Sequence, residues 1–277
     1  MIGPRTVGIV GTGLIGTSIG LAIRQRRVAE RVVGVDVDPA AVEAARTRGA
    51  LDKGGTTMEV LREADLVVVA VPPDAVVPAA LQAAAELRPG TVLTDVASTK
   101  AGIVAALEQR LPPLIRYVGG HPMAGAERSG PQAADPALLA GRPFIITPTA
   151  AADAAAIEMV TFLARGIGME PVVLAPHDHD ALVAEVSHAP YLLAAAALLA
   201  TSDEARRIQG PGFAGFARLA QSPVELWTQI CAGNAQAIRG ALERLRAALD
   251  QLDRALESRN DLALLLLEAQ RRAGGGA

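Results

Sequence analysis

An apolar run at residues 7–10 leads straight into Gly11-Thr12-Gly13-Leu14-Ile15-Gly16, and this junction constrains the chain more than any other feature. A strand entering a G-x-G-x-x-G turn that opens an amphipathic helix is the start of a nucleotide-binding strand–helix–strand unit. Gly11 permits the tight turn, Gly13 lets backbone approach a pyrophosphate, and Gly16 lets helix and strand pack closely. The helix N-terminus then supplies free amides and a partial positive charge, and Thr12, Leu14 and Ile15 are expected with the glycines at the cofactor. Glycine turns after strands are common, so the second strand carries weight: Val33-Gly34-Val35 ends in Asp36, where a carboxylate can accept hydrogen bonds from a ribose. Asp38 before Pro39 is the better cap for the next helix. A carboxylate at position 36, with no Arg close behind it, repels a 2′-phosphate, so NAD is expected rather than NADP. Val71-Pro72, leaving a later strand at the same sheet edge, are expected to wall the cofactor.

Further apolar runs at residues 32–35, 66–71, 92–93, 117–118 and 144–146 are separated by helix-length segments. This pattern predicts parallel strands covered on both faces, an α/β doubly wound sheet. A helix over 153–166 and a short strand at 172–174 extend it. Beyond Pro176 the period is helical, over residues 181–199, 223–231, 235–256 and 261–271, with 201–215 expected as a loop with room for a short helical turn, and a frayed tail at 274–277. Residues 1–175 are therefore expected to form a dinucleotide-binding domain and 176–277 an all-helical domain for substrate binding and dimerisation. The segment 181–199 is apolar on nearly all sides, which predicts that it packs inside a homodimer core.

Composition narrows the partners. A chain of 277 residues fits two domains, 51% apolar content can fill a core, and a formal charge of −3 offers no excess cation for a phosphate backbone, so nucleic acid is not expected. One cysteine, Cys231, excludes an internal disulfide and fits a reducing, cytoplasmic setting. Residues 1–5 lack the charged, apolar and small-residue segments of a secretory signal, so export is not expected. The longest apolar stretch, residues 189–200, holds Pro190 and falls short of the roughly 20 residues a membrane span needs, so no membrane association is expected.

Four histidines are present. His121, after the strand at 117–118, falls at the same sheet edge as the glycine turn and is a candidate acid or base beside the nicotinamide. His177-Asp178-His179-Asp180 offers good ligand types, but adjacent helical positions diverge and no third ligand follows at a suitable spacing. Capping and dipole interactions at a helix start are the expected role of these aspartates, and no metal is expected.

The ordered set Gly11 to Ser18, Asp95-Val96-Ala97-Ser98-Thr99-Lys100, Gly120-His121-Pro122-Met123-Ala124-Gly125-Ala126-Glu127-Arg128-Ser129-Gly130, His179-Asp180, Ser187-His188-Ala189-Pro190, Gly212-Phe213, Arg218 and Trp227 resembles the prephenate and arogenate dehydrogenases. These are oxidative decarboxylases of tyrosine biosynthesis. The resemblance implies a Rossmann-type domain, NAD as cofactor, and a small-molecule substrate, prephenate or arogenate. By this similarity His121 is the base on the substrate's 4-hydroxyl and Ser98 hydrogen-bonds near the same oxygen. Ser98 stands beside the cofactor as well. Arg218 holds a substrate carboxylate, while Glu127, His188, Tyr191 and Trp227 shape the pocket. From the residues alone, Ser98 reads equally as a helix cap, Arg218 as a surface cation and Trp227 as core packing.

Three positions depart from the family pattern: Tyr191 stands where a second histidine is common, Gly215 where an acid is, and Ala126 where a hydroxyl residue is. Loss of the acid removes a partner for an ammonium, which tilts the reading from arogenate toward prephenate. An unperturbed imidazole at His121 predicts a rate rising through about pH 6 to 7. Two rivals remain at this point. A β-hydroxyacid dehydrogenase or imine reductase would need a Lys or Asp in the middle of the long interdomain helix, which has neither, and a non-catalytic NAD sensor would not need His121, Ser98 and Arg218.

Overall fold

A computed structural model describes residues 3–126 and 128–274. Eight strands form one sheet: β1 (Thr6–Val10), β2 (Arg31–Val35), β3 (Lys53–Gly55), β4 (Leu66–Val69), β5 (Val92–Asp95), β6 (Arg116–Pro122), β7 (Pro143–Pro148) and β8 (Glu170–Val173). Their order is β3-β2-β1-β4-β5-β6-β7-β8, so the connection reverses direction between β1 and β4 and opens a crevice at their carboxyl ends. Strands β1, β2 and β4 are valine-rich, and their buried residues, with those of β5, divide into two apolar layers, one on each face of the sheet. The helices covering these layers are α1 (Leu14–Arg26), α2 (Pro39–Thr47), α3 (Pro73–Ala84), α4 (Ala101–Arg110) and α5 (Ala154–Gly166).

The expectation of parallel strands throughout is corrected at β7, which pairs antiparallel with β6, Val118 opposite Pro148 and Pro122 opposite Phe144. Among the described residues between them lie a loop and two short 3-10 turns, Pro131–Ala133 and Pro136–Leu138, without the crossover helix that a parallel return needs. Strand β3 was not expected; its Lys-Gly-Gly sequence has no apolar pattern, and it is held as an edge strand by pairing with β2.

After β8 the chain is helical: α6 (Pro176–Val183), a π-helical turn (Ala184–His188), α7 (Ala189–Ala200), α8 (Asp203–Arg207), α9 (Pro211–Ala217), a 3-10 turn (Arg218–Gln221), α10 (Val224–Gly233), α11 (Ala235–Ala255) and α12 (Arg259–Gly274). The segment expected at 201–215 as a loop with a short helical turn holds α8, capped by Ser202, and the start of α9, begun by Pro211, which runs on to Ala217. Pro190 does not end the long helix. Its missing N–H and its ring are accommodated by the π turn just before it, and Pro176–Ala200 runs on for 25 residues. That corrects the length argument about membranes, because this helix is long and apolar enough by composition to cross one. Its first half is instead fastened to the sheet domain through His179 and Asp180. Ala184 and Ala189 pack with Ile238 and Ala241 of α11 in a small helical core.

Candidate active site

The glycine turn is built as its sequence demands. Gly11 has φ +92°, and a Cβ there would stand 2.3 Å from the Ala70 carbonyl oxygen, so both conformation and space require glycine. A Cβ on Gly16 would lie 2.0 Å from the Gly11 oxygen, whereas one on Gly13 would meet nothing within 4 Å. The turn is therefore closed beneath and open in front. Thr17 is the first residue of α1 to donate back, to the Gly13 carbonyl at 3.0 Å, and no side chain caps the helix. The amides of Leu14, Ile15 and Gly16 precede that ladder and are available to an anion.

Asp36 accepts from the Thr12 amide at 2.7 Å and hydroxyl at 3.2 Å, and from the Asp38 amide at 3.0 Å, tying the end of β2 to the turn. Asp38 caps α2 through the Ala40 amide at 2.8 Å, as its place before Pro39 indicated. A cleft of about 820 Å³ opens here, lined by Gly11, Gly13, Asp36, Val71 and Pro72 among others. Thr12 and Gly16 are buried beneath it and Leu14 and Ile15 are half-buried at the helix start. An open glycine, free amides and an acid at the rim fit a dinucleotide.

A second cavity, about 480 Å³, is lined by Ser98, His121, Tyr191, Arg218 and Trp227. Five separate elements deliver them: the β5–α4 loop, β6, α7, the 3-10 turn after α9, and α10. His121 belongs to β6 itself, opposite Ile145, and not to the loop after a strand. Ser98 does not cap α4; that helix is capped across the domain boundary by Asp180, which accepts from the Lys100 and Ala101 amides at 2.7 and 2.9 Å. Asp180 thus caps a different helix from its own, and α6 has no side-chain cap. Trp227 stacks on Tyr191, centroids 3.6 Å apart and rings 3° from parallel. His188 is buried away from the cavity lining, edge-on to Trp227, with Nδ1 3.2 Å from the Asn234 amide nitrogen. Of the departures, Tyr191 and Ala126 line the cavity and Gly215 does not. Glu127 lies outside the described residues.

Sequence reasoning missed what stands behind His121. Its Nδ1 is 2.8 Å from His179 Nε2, and His179 Nδ1 is 2.8 Å from Asp180 Oδ1. Lys100, fully buried, is ion-paired with Asp95, whose carboxylate also accepts from the Tyr117 hydroxyl at 2.8 Å, the Ala97 amide at 2.9 Å and the Gly120 amide at 3.2 Å. Burial, reinforced by His179, Lys100 and His188, holds the His121 pKa well below the ordinary 6.5. The unperturbed imidazole assumed from sequence is corrected: His121 is neutral well into the acid range. The histidine–aspartate pair at 179–180 was visible as a motif, but only docking of α6 against β6 and α4 gives it this role.

A nucleotide-shaped glycine cleft next to a pocket holding a neutral, buried histidine defines an oxidoreductase of the dinucleotide-binding class. The chain belongs to the prephenate dehydrogenase family. The family's nucleotide-binding domain matches residues 19–173 and its dimerization domain residues 175–267. The chain is 30% identical over 257 residues to the prephenate dehydrogenase of Bacillus subtilis (strain 168), covering 90% of this chain and 68% of that protein. Among solved structures it is similar to A. aeolicus prephenate dehydrogenase in complex with hydroxyphenyl propionate and NAD+, with TM-score 0.90, 27% identity, and 98% of each chain covered. It is also similar to Synechocystis arogenate dehydrogenase, with TM-score 0.84, 27% identity, and 98% of this chain and 100% of that one covered.

Proposed function

We propose that the chain is an NAD-dependent prephenate dehydrogenase that converts prephenate to 4-hydroxyphenylpyruvate and CO₂. The observation that carries this reading is the neutral His121 in a cavity that also holds Arg218 and Ser98, beside the glycine cleft. NAD⁺ bound in that cleft supplies the acceptor for the hydride leaving C4 of the ring. His121 accepts the 4-hydroxyl proton, and Ser98 hydrogen-bonds near the same oxygen. Loss of CO₂ from C1 sends its bonding pair into the ring, and His121 returns the proton to the phenolate oxygen, so no proton is consumed. Arg218 binds a substrate carboxylate as a permanent planar cation, fixing the ring's orientation. The stacked Tyr191 and Trp227 form an apolar wall for the ring.

The choice of prephenate over arogenate rests on the cavity lining, which among the described residues contains no carboxylate to pair with an ammonium. Asp36 favours NAD over NADP by repelling a 2′-phosphate. Two copies are proposed to associate through the helical domain. In support, the family model for that region carries dimerization in its description, and Leu199, Leu264 and Leu266 are exposed apolar residues on α7 and α12. Parallel assays with prephenate and arogenate test the substrate: faster turnover of arogenate would overturn the preference.

A further inference from the structure

Three groups stand in line behind the cavity: His121 on β6, then His179 and Asp180 on α6, at 2.8 Å and 2.8 Å. All three are buried, and their hydrogen bonds have one consistent direction. Burial works to raise the Asp180 pKa, but its bonds to His179 and to the Ala101 and Lys100 amides together outweigh that and lower it, so the carboxylate only accepts, and His179 Nδ1 must carry the hydrogen. His179 Nε2 is then a lone pair, and it can only accept from His121 Nδ1–H. The remaining nitrogen of His121, Nε2, is left as the unprotonated one.

We propose that His179 is a positioning residue for His121, which fixes its tautomer so that Nε2 is the base and takes over its Nδ1 proton when Nε2 is protonated. This rests on the base role given above to His121. When the substrate hydroxyl gives its proton to His121 Nε2, the Nδ1 proton passes to His179 Nε2, and the positive charge comes to rest beside Asp180. The return of a proton to the phenolate runs the same two transfers backward, so protons balance over the cycle. Charge placement favours the transfer. Besides burial, the groups that oppose a cation on His121 are His179 from α6, Lys100 from the start of α4, paired with Asp95 at the end of β5, and His188 from the π turn. His179 instead sits against the Asp180 carboxylate. Transfer places the charge against an aspartate carboxylate.

With only four histidines in the chain, ¹⁵N NMR of the histidine-labelled protein reads the tautomers directly, without substrate or cofactor. The expected result is hydrogen on Nδ1 for both His121 and His179. Hydrogen on His121 Nε2 would overturn the proposal. In turnover, His179→Leu should lower kcat on the order of 10²-fold with KM changed less than about 3-fold. His179→Gln, whose carbonyl still accepts from Nδ1–H but cannot pass a proton on, should recover part of the loss. A proton inventory in mixed H₂O and D₂O should be curved for the natural protein and linear for His179→Gln. A folded His179→Leu protein with full kcat would also overturn the proposal. Full activity in His121→Asn would instead remove the base role itself, which separates the two failures.

Discussion

His121 carries the base role in the proposed reaction, and burial gives it an unusual acid limb. Because its pKa lies well below 6.5, its neutral fraction stays near full across the range in which an exposed histidine titrates. Turnover should therefore hold constant from pH 8 down through 6.5 and fall only at lower pH; an inflection at 6.5 or above in kcat/KM would contradict this. His121→Asn should cost about 10²- to 10⁴-fold in kcat with NAD⁺ binding by calorimetry preserved. The same burial sets a stability trend. His188 is depressed to about 4 by desolvation. Below the unfolded value of 6.5 the unfolded chain binds more protons than the native one, so stability is full above pH 6.5 and declines as pH falls toward 4. His188 alone accounts for roughly 3 kcal/mol of that loss. A Tm that is flat between pH 7 and 4.5 would contradict it.

At the scale of elements, the buried Lys100–Asp95 pair joins the start of α4 to the end of β5. Lys100→Met leaves the Asp95 carboxylate without its cation and should destabilise by about 3 kcal/mol in urea unfolding. With Asp95→Asn added, the double variant should lose less than the sum of the two single ones. Local features of this kind divide by how far apart their parts lie in the chain. The glycine turn and the Asp38 cap were legible because each acts within one strand–turn–helix unit, where spacing alone fixes geometry. His121 and His179 lie 58 residues apart, and their contact depends on how α6 docks, which no local pattern encodes. Likewise β3 has no apolar period to read, and β7 reverses because its connection lacks a helix. Asp180, read as a cap for its own helix, caps α4 because the docking brings that helix's free amides to it.

The whole molecule pairs a sheet that carries the glycine cleft with helices that complete the second cavity, and neither part holds the full set of its side chains. Its helical part also exposes apolar surface: Leu199 on α7 is 90% exposed and Leu264 on α12 is 66% exposed. Sedimentation equilibrium should give a dimer, and Leu264→Glu should shift it toward monomer. The apolar character of residues 181–199 was readable from sequence as a hint of this, whereas the continuity of the helix through Pro190 was not, since the π turn is a backbone adjustment that a proline in the sequence does not announce. The most direct test of the account follows reduced nicotinamide by absorbance with purified protein, NAD⁺ and either prephenate or arogenate. The account predicts turnover with prephenate exceeding that with arogenate, lost in His121→Asn and strongly reduced in Arg218→Ala. NAD⁺ binding with no turnover of either substrate would contradict it.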